Sequence, residues 1–553
     1  MEINLPSAEE IWTGGVILTM DPLNPRAEAM AVRDGKIVAV GHEADVLNLA
    51  GPGTVINRLH GRFIMPGLIE SHTHALWGAC RSLFDVYVGF DADLTELLDE
   101  VRQHCKMKNP EQVVFGGPWR PAMRPEMGTN PCGLLDNIST DHVIILHDAS
   151  QHILWCNSKA LELCGISSTK LDIPGGIIER DPATGKPNGI LAEAASAPAR
   201  ALVKRTKTQL SEALREAVRY FTSFGFTGFK EPMAFEEELQ TYQSADQRGD
   251  LTMHMAAHIV HSSPLGTSKV SYSAMDQLRR IYTSENVRLD FAKLFLDGVA
   301  PGFTASFIEP YAAKSGYDVA SHNPAATLLI PSHELNEMLI QLDQRGYTVK
   351  MHAVGDYAIR VGLDAIAAAR EKNGQSGLRH EIAHSNFVSD FDLHRFRELD
   401  AIAEQSPKMW YPNPGTTVQT ALLGHARVQK NHRIADLLAA EAELIYGSDW
   451  PAAAPDANPW TGLYGMVTRR NIDQKYPGEL APEQAISLQE ALPIFTINGA
   501  RSMQMEHETG SLKIGKWADF IILKQNILEI SAKEIATVCP QMTVWKGKIV
   551  YSV

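Results

Sequence analysis

The chain has no paired cysteines: its six, Cys80, Cys105, Cys132, Cys156, Cys164 and Cys539, are scattered over 553 positions without a CxxC. That spacing excludes a disulfide framework and fits a reducing compartment. Basic residues are in the minority, 51 Lys and Arg against 65 Asp and Glu, for a formal net charge of −14. A basic surface for nucleic acid is thereby excluded, and the acidic balance bears on solubility rather than on substrate. No run reaches the ~18 apolar residues that cross a bilayer, so no membrane partner is expected. The opening residues, MEINLPSAEE, lack a basic segment followed by an apolar stretch, and the expectation is a cytoplasmic protein without a secretory signal. Internal repeats and low-complexity tracts are missing too. What is present is ordinary globular composition, 44% hydrophobic and 21% charged, which excludes a disordered or fibrous chain. At ~150 residues per domain the length corresponds to about 3.7 domains. The chain also has 20 histidines, and their placement carries the argument.

The two ends share a style. Residues 11–41 and 508–553 read as short β-rich runs broken by Gly, Asn, Pro and Asp-Gly turns, with VWKGKIVYS as a closing hairpin. Neither set can bury a core alone, so the ends are expected to pair into one composite β-sandwich, residues 1–65 with 505–553. Between them, apolar runs alternate with helical patterns, the mark of repeated βα units on a parallel sheet. Eight candidate strands occur: RFIMPGLIESHTH, GFTGFKEP, LTMHMAAHIV, VRLDFAKLFLDG, YTVKMHAVGD, LRHEIAHSN, DAIAEQS and AELIYGSDW. Helical stretches such as SEALREAVRYFTSFG and PSHELNEMLIQLDQRG lie between them. This predicts an α/β fold with a TIM-type (β/α)8 barrel over residues 66–81 and 211–504, its catalytic groups at the C-terminal strand ends.

Spacing supports the same layout. A barrel unit takes about 31 residues. His352 to His384 is 32 residues and His384 to Asp449 is 65, one unit and two; Lys293 to His352 is 59, one unit plus a long loop. His74 to Lys293 is 219, where three units need about 93, so an inserted α+β domain is expected after the first strand. Residues 82–210, irregular and rich in Pro and Gly, fit it and are assigned to the substrate pocket.

Five strand ends carry ligand-type residues. In PGLIESHTH, His72 and His74 alternate, so both imidazoles can face one metal ion. Lys293 lies inside the apolar strand DFAKLFLDG, where a lysine is costly unless paired or modified. It can pair with Asp297. Alternatively it reacts with carbon dioxide to give a carbamate that bridges two cations, burial supplying the neutral amine. His352 in KMHAVGD and His384 in HEIAHSN end strands, and Asp449 follows the last strand in YGSDWP. His380, four residues before His384, falls on the same face at the far end of the barrel. Taken alone, a histidine there serves packing and Asp449 serves a turn; together the set matches a two-metal hydrolase. His72, His74 and Asp449 would hold one ion, His352 and His384 the other, with carboxylated Lys293 between them. Imidazole and carboxylate donors suit zinc, and manganese, iron and nickel remain open. Asp449 is the natural general base.

These motifs, MPGLIESHTH, KLFLDG, MHAVGDYAI, RHEIAHSN, GSDWP and GSLKIGKWADFIIL, resemble the amidohydrolase superfamily, and within it the amidohydrolase family 3 or YtcJ-like branch, along nearly the whole chain. The resemblance implies a barrel with a composite β-sandwich, a metal centre ligated by His72, His74, Lys293, His352, His384 and Asp449, and hydrolysis of amide or other C–N bonds. QHILWCNSKAL resembles a segment in which a histidine, here His152, faces the active site as a catalytic or substrate-contacting group. Two departures stand out: Glu70 where the branch usually has Asp, and GGPWRP where it has Gly-Trp-Asp. Trp119, Arg120, Trp410 and Tyr411 are candidate pocket residues. The expected activity is a metal-dependent amidohydrolase acting on a small N-acyl or N-formyl amine or a cyclic amide, similar to formamide deformylases. The alternatives are a one-metal deaminase or an ester or lactone hydrolase on the same fold, and a non-catalytic scaffold. A homodimer is a family expectation.

Overall fold

A computed structural model describes residues 7–169, 175–262, 269–409, 411–452 and 454–553. At its centre are eight parallel strands in chain order around one ring: β1 (Leu68–Glu70), β2 (Phe226–Ala234), β3 (His254–Val260), β4 (Val287–Phe295), β5 (Thr348–Ala353), β6 (Glu381–His384), β7 (Ile402–Gln405) and β8 (Glu443–Tyr446). They are the eight expected from the sequence, in the same order. Beyond the ladder, the Ser71 N–H donates to the Tyr446 carbonyl at 2.9 Å and the Asp449 N–H to the His72 carbonyl at 2.8 Å, which joins the last strand to the first. β2 and β3 are buried along their whole length, which is why they read as continuous runs and not as alternation.

Helices cover the ring. Lys207–Ser223 starts at Thr206, whose side chain accepts from the Gln209 N–H in a capping box. It buries Leu210, Ala213, Leu214, Ala217, Val218 and Phe221, at helical spacing, against the barrel core that contains Phe226 and Phe229. The Leu, Val and Phe side chains among these each contribute about 1.5–3 kcal/mol on full burial. Ser332–Gln344 does the same with Leu335, Met338, Leu339 and Leu342.

The chain ends meet as expected. Phe63–Pro66 pairs antiparallel with Phe520–Leu523 in one eight-stranded sheet that also holds Glu10–Leu18, Arg26–Arg33, Lys36–Gly41 and the closing hairpin 542–552. A register shift between Thr13 and Ile17 lets the first strand pair with Val55–Arg58 early and Phe63–Pro66 late. The sheet thereby curls, with a core of Trp12, Ile17, Met30, Ile64, Phe520 and Val544 and a smaller one of Ile11, Ala29, Ala31 and Val46. The long stretch after β1 builds a third, six-stranded sheet between Val86 and Glu193. Among the described residues no helix is long and apolar enough to cross a membrane.

Candidate metal centre

The C-terminal rim of the barrel opens into a cavity of about 860 Å³ whose lining includes His72, His74, His152, Lys293, His352, His384 and Asp449. His72 and His74 stand just beyond β1, Lys293 lies in β4, His352 in β5, and His384 ends β6. Asp449 follows β8. His384 and Asp449 have φ of +67° and +57°, and Glu193 has +50°. Such left-handed backbone is uncommon for residues other than glycine, and it clusters here. Gly447 has a packing reason: a Cβ there would lie 2.5 Å from the Cβ of His72.

The donor atoms converge. His72 Nε2 and His74 Nε2 are each 3.4 Å from Asp449 Oδ1, and His384 Nδ1 is 4.0 Å from Asp449 Oδ2. His384 Nε2 lies 3.1 Å from His352 Nδ1. One donor atom from each of His72, His74 and Asp449 falls within 4.8 Å of the others, as does one from each of His72, His384 and Glu404. Imidazole nitrogens and a carboxylate facing one buried point fit a divalent cation. Burial first, and then neighbouring positive charge including Lys293, holds His72, His352 and His384 well below the ordinary imidazole pKa, so their lone pairs are free for a metal at neutral pH. At His74 burial is outweighed by Asp449 and Glu231, which together push it up to about 9.

Lys293 is 1% exposed and lies 4.9 Å over the Phe295 ring. Burial, and then Lys350, brings its pKa down to about 8. Asp297, the sequence-level alternative partner, is occupied elsewhere: its carboxylate accepts the Ser306, Val354 and Gly355 N–H groups at 2.9–3.0 Å. His152 comes from the third sheet and faces the cavity, its ring 5.6 Å from that of His352. Its Nδ1 is 2.9 Å from Glu193 Oε2, and Thr304 donates to Glu193 Oε1 at 3.0 Å. Burial opposes a charge on His152, but the Glu193 carboxylate outweighs it and raises the pKa.

Two supporting acids, Glu231 and Glu404, were not singled out in the sequence. Glu231 meets His74 Nδ1 at 3.1 Å and accepts from Ala75 N and Tyr242 OH. Glu404 meets His72 Nδ1 at 2.5 Å. Both are acids inside apolar strands, the same signal that marked Lys293. Glu70 Oε1 accepts the His72 and Ser448 N–H groups at 3.0 and 2.9 Å, and burial pushes its pKa up to about 8. The longer side chain at this position thus ties the start of the His72–His74 segment to the turn before Asp449. His380 sits at the opposite end of the barrel, 3.0 Å from Asp343. Arg120 and Tyr411 line the cavity, whereas Trp119, 2% exposed, packs in the core of the third sheet with Trp155 and Leu146. Trp410 lies outside the described residues.

The chain is similar to known proteins along most of its length. A model described as "Amidohydrolase family" matches residues 55–551. Protein LONG AFTER FAR-RED 3 of Arabidopsis thaliana is 28% identical over 96% of this chain and 89% of its own. N-substituted formamide deformylase of Arthrobacter pascens is 26% identical over 94% of both chains. An uncharacterized metal-dependent hydrolase from Pyrococcus horikoshii OT3 superposes with a TM-score of 0.73 over 95% of this chain and 99% of its own, at 22% identity, a likeness of fold.

Proposed function

The chain belongs to the amidohydrolase family, and on that premise we propose that it is a two-metal hydrolase cleaving an amide-type C–N bond in a small N-acyl or N-formyl amine or cyclic amide. The observation that carries this reading is the convergence of His72, His74 and Asp449, with His352 and His384 beside them and the buried Lys293 on the same rim. His72, His74 and Asp449 would hold one ion, zinc by donor type, and His352 and His384 the second. Divalent ions bound there supply a polarised carbonyl and a water ionised near neutral pH.

The protein's own groups do the rest. Asp449 takes the proton of the attacking water and passes it to the nitrogen of the departing amine. His152, held by Glu193 through Nδ1, presents Nε2 to the cavity and donates to the acyl oxygen of the substrate. Apolar walls from Phe90, Met233, Phe295, Val418 and Ile472 accept the substituent and exclude water. The neutral Lys293 amine would attack the carbon of carbon dioxide and lose a proton to solvent, and the resulting carbamate would add carboxylate-type oxygen donors to the site.

The test is a panel of formamides, acyl amides, lactams, carbamates, esters and lactones against the metal-loaded protein. Turnover of C–N substrates supports the reading, and turnover of esters alone would overturn it. On the preferred substrate, His152→Gln is expected to lower kcat/KM by about 10²-fold, the scale of one positioned donor; an unchanged value removes His152 from the mechanism.

Lys293→Ala is expected to bind one equivalent of metal where the parent binds two, and to lose about 10²-fold or more of its turnover. Full activity with one ion would favour the one-metal deaminase or esterase reading. Because carbamate formation needs the neutral amine, whose pKa burial brings down to about 8, reactivation of chelated protein by zinc at constant dissolved carbon dioxide should quicken as pH rises towards about 8.

A further inference from the structure

Beneath the ligand rim the barrel interior holds a chain of alternating charge. Lys230 of β2 pairs with Glu381 Oε1 and donates to the Ser502 carbonyl at 2.8 Å. Lys350 of β5 lies 3.0 Å from Glu381 Oε2, pairs with Glu404 Oε2, and donates to the Ser71 carbonyl at 2.7 Å. Glu404 of β7 turns its other oxygen to His72 Nδ1, 2.5 Å away, and receives the His384 N–H on that oxygen at 3.4 Å. The side chains of Lys230, Lys350, Glu381 and Glu404 have no solvent exposure.

Charges this deep persist only when paired and hydrogen-bonded, and their geometry is then narrowly defined. Lys350 also grips the Ser71 carbonyl, one residue before His72, so it holds both the backbone and, through Glu404, the ring. Both Glu404 oxygens are engaged from within the protein, one by Lys350 and the other by His72 Nδ1 and the His384 N–H, so this acid is placed to act through His72.

We propose that Glu404, with Lys350 behind it, is a positioning pair that keeps His72 protonated on Nδ1 and aims Nε2 at Asp449 and the metal. This rests on the metal-dependent reading above. The pair thereby sets the affinity of the His72, His74 and Asp449 group for its ion, since a carboxylate behind a ligating imidazole fixes its tautomer and raises its basicity.

The experiment measures zinc affinity of the metal-free full chain by competition with a chromophoric chelator, and the visible spectrum of the cobalt-loaded protein. Glu404→Gln keeps an acceptor for Nδ1–H but loses the charge. It is expected to weaken zinc by about 10–100-fold and to shift the cobalt bands. Removing one member of a buried ion pair can also unfold a protein. The double variant Glu404→Gln/Lys350→Met avoids that, because Lys230 and Glu381 remain mutually paired. It should melt close to the parent in the metal-free state and show the same weakened zinc binding as Glu404→Gln alone, the non-additivity expected of one unit. A folded double variant that binds zinc within about twofold of the parent, with unchanged cobalt bands, overturns the proposal. A parent chain that binds no divalent ion overturns instead the metal-dependent reading on which it stands.

Discussion

Asp449→Asn is expected to lower kcat/KM by about 10³-fold or more while leaving the protein folded, because it removes the proton carrier and a metal donor in one change. The backbone at Asp449 is left-handed, φ +57°, and its N–H is tied to the His72 carbonyl at 2.8 Å. Asparagine is among the residues that adopt this conformation most readily, so the turn survives. The amide fills the same space, but it cannot take a proton from water or hand one to a leaving nitrogen. Circular dichroism should match the parent, and the metal-free variant should melt with the metal-free parent. A folded variant within about tenfold of the parent would remove Asp449 from proton transfer.

Removal of the metal is the second large effect. Chelation followed by desalting is expected to abolish turnover, and zinc should restore it. The apo-protein should also melt lower. An ion that binds only the native state at about 1,000 times its dissociation constant stabilises by about 4 kcal/mol. For a chain of this length unfolding cooperatively, that corresponds to about 4 °C, from an unfolding entropy near 2.1 cal/mol/K per residue. The neutral imidazoles of His72, His352 and His384 and the Asp449 carboxylate face one another across the site, and a cation satisfies lone pairs that otherwise point together. Full turnover in protein shown by elemental analysis to be metal-free would end the metal-dependent reading.

Much of this was legible in one dimension because periodicity and spacing report covalent neighbours. PGLIESHTH, DFAKLFLDG, KMHAVGD, HEIAHSN and YGSDWP each place a donor at or just past the end of a barrel strand, and one unit per about 31 residues brings those ends to one rim. The chain ends also read correctly as partners, since neither strand set could bury a core alone. The carboxylates behind the histidines were less visible. Glu231 and Glu404 lie in strands recognised as strands, yet nothing local to FKEP or AIAEQS tells which histidine each acid meets. Those contacts span 157 and 332 residues. The same holds for Asp297, four residues from Lys293 in sequence and bonded to a different loop. Trp119 beside Arg120 shows the reverse limit: adjacent residues on a strand end, one in a core and the other on the cavity.

The sequence by itself determined the barrel, its strand order and the six ligand-type residues, because strand period and unit length repeat along the chain. Only the tertiary structure decided the partners of buried charge: Lys293 over the Phe295 ring, Lys350 shared between Glu381 and Glu404, and His152 braced by Glu193. The physical reason is range. Hydrophobic periodicity is a property of neighbours, whereas the free energy of a buried charge depends on whichever opposite charge the closed barrel brings within about 3–4 Å.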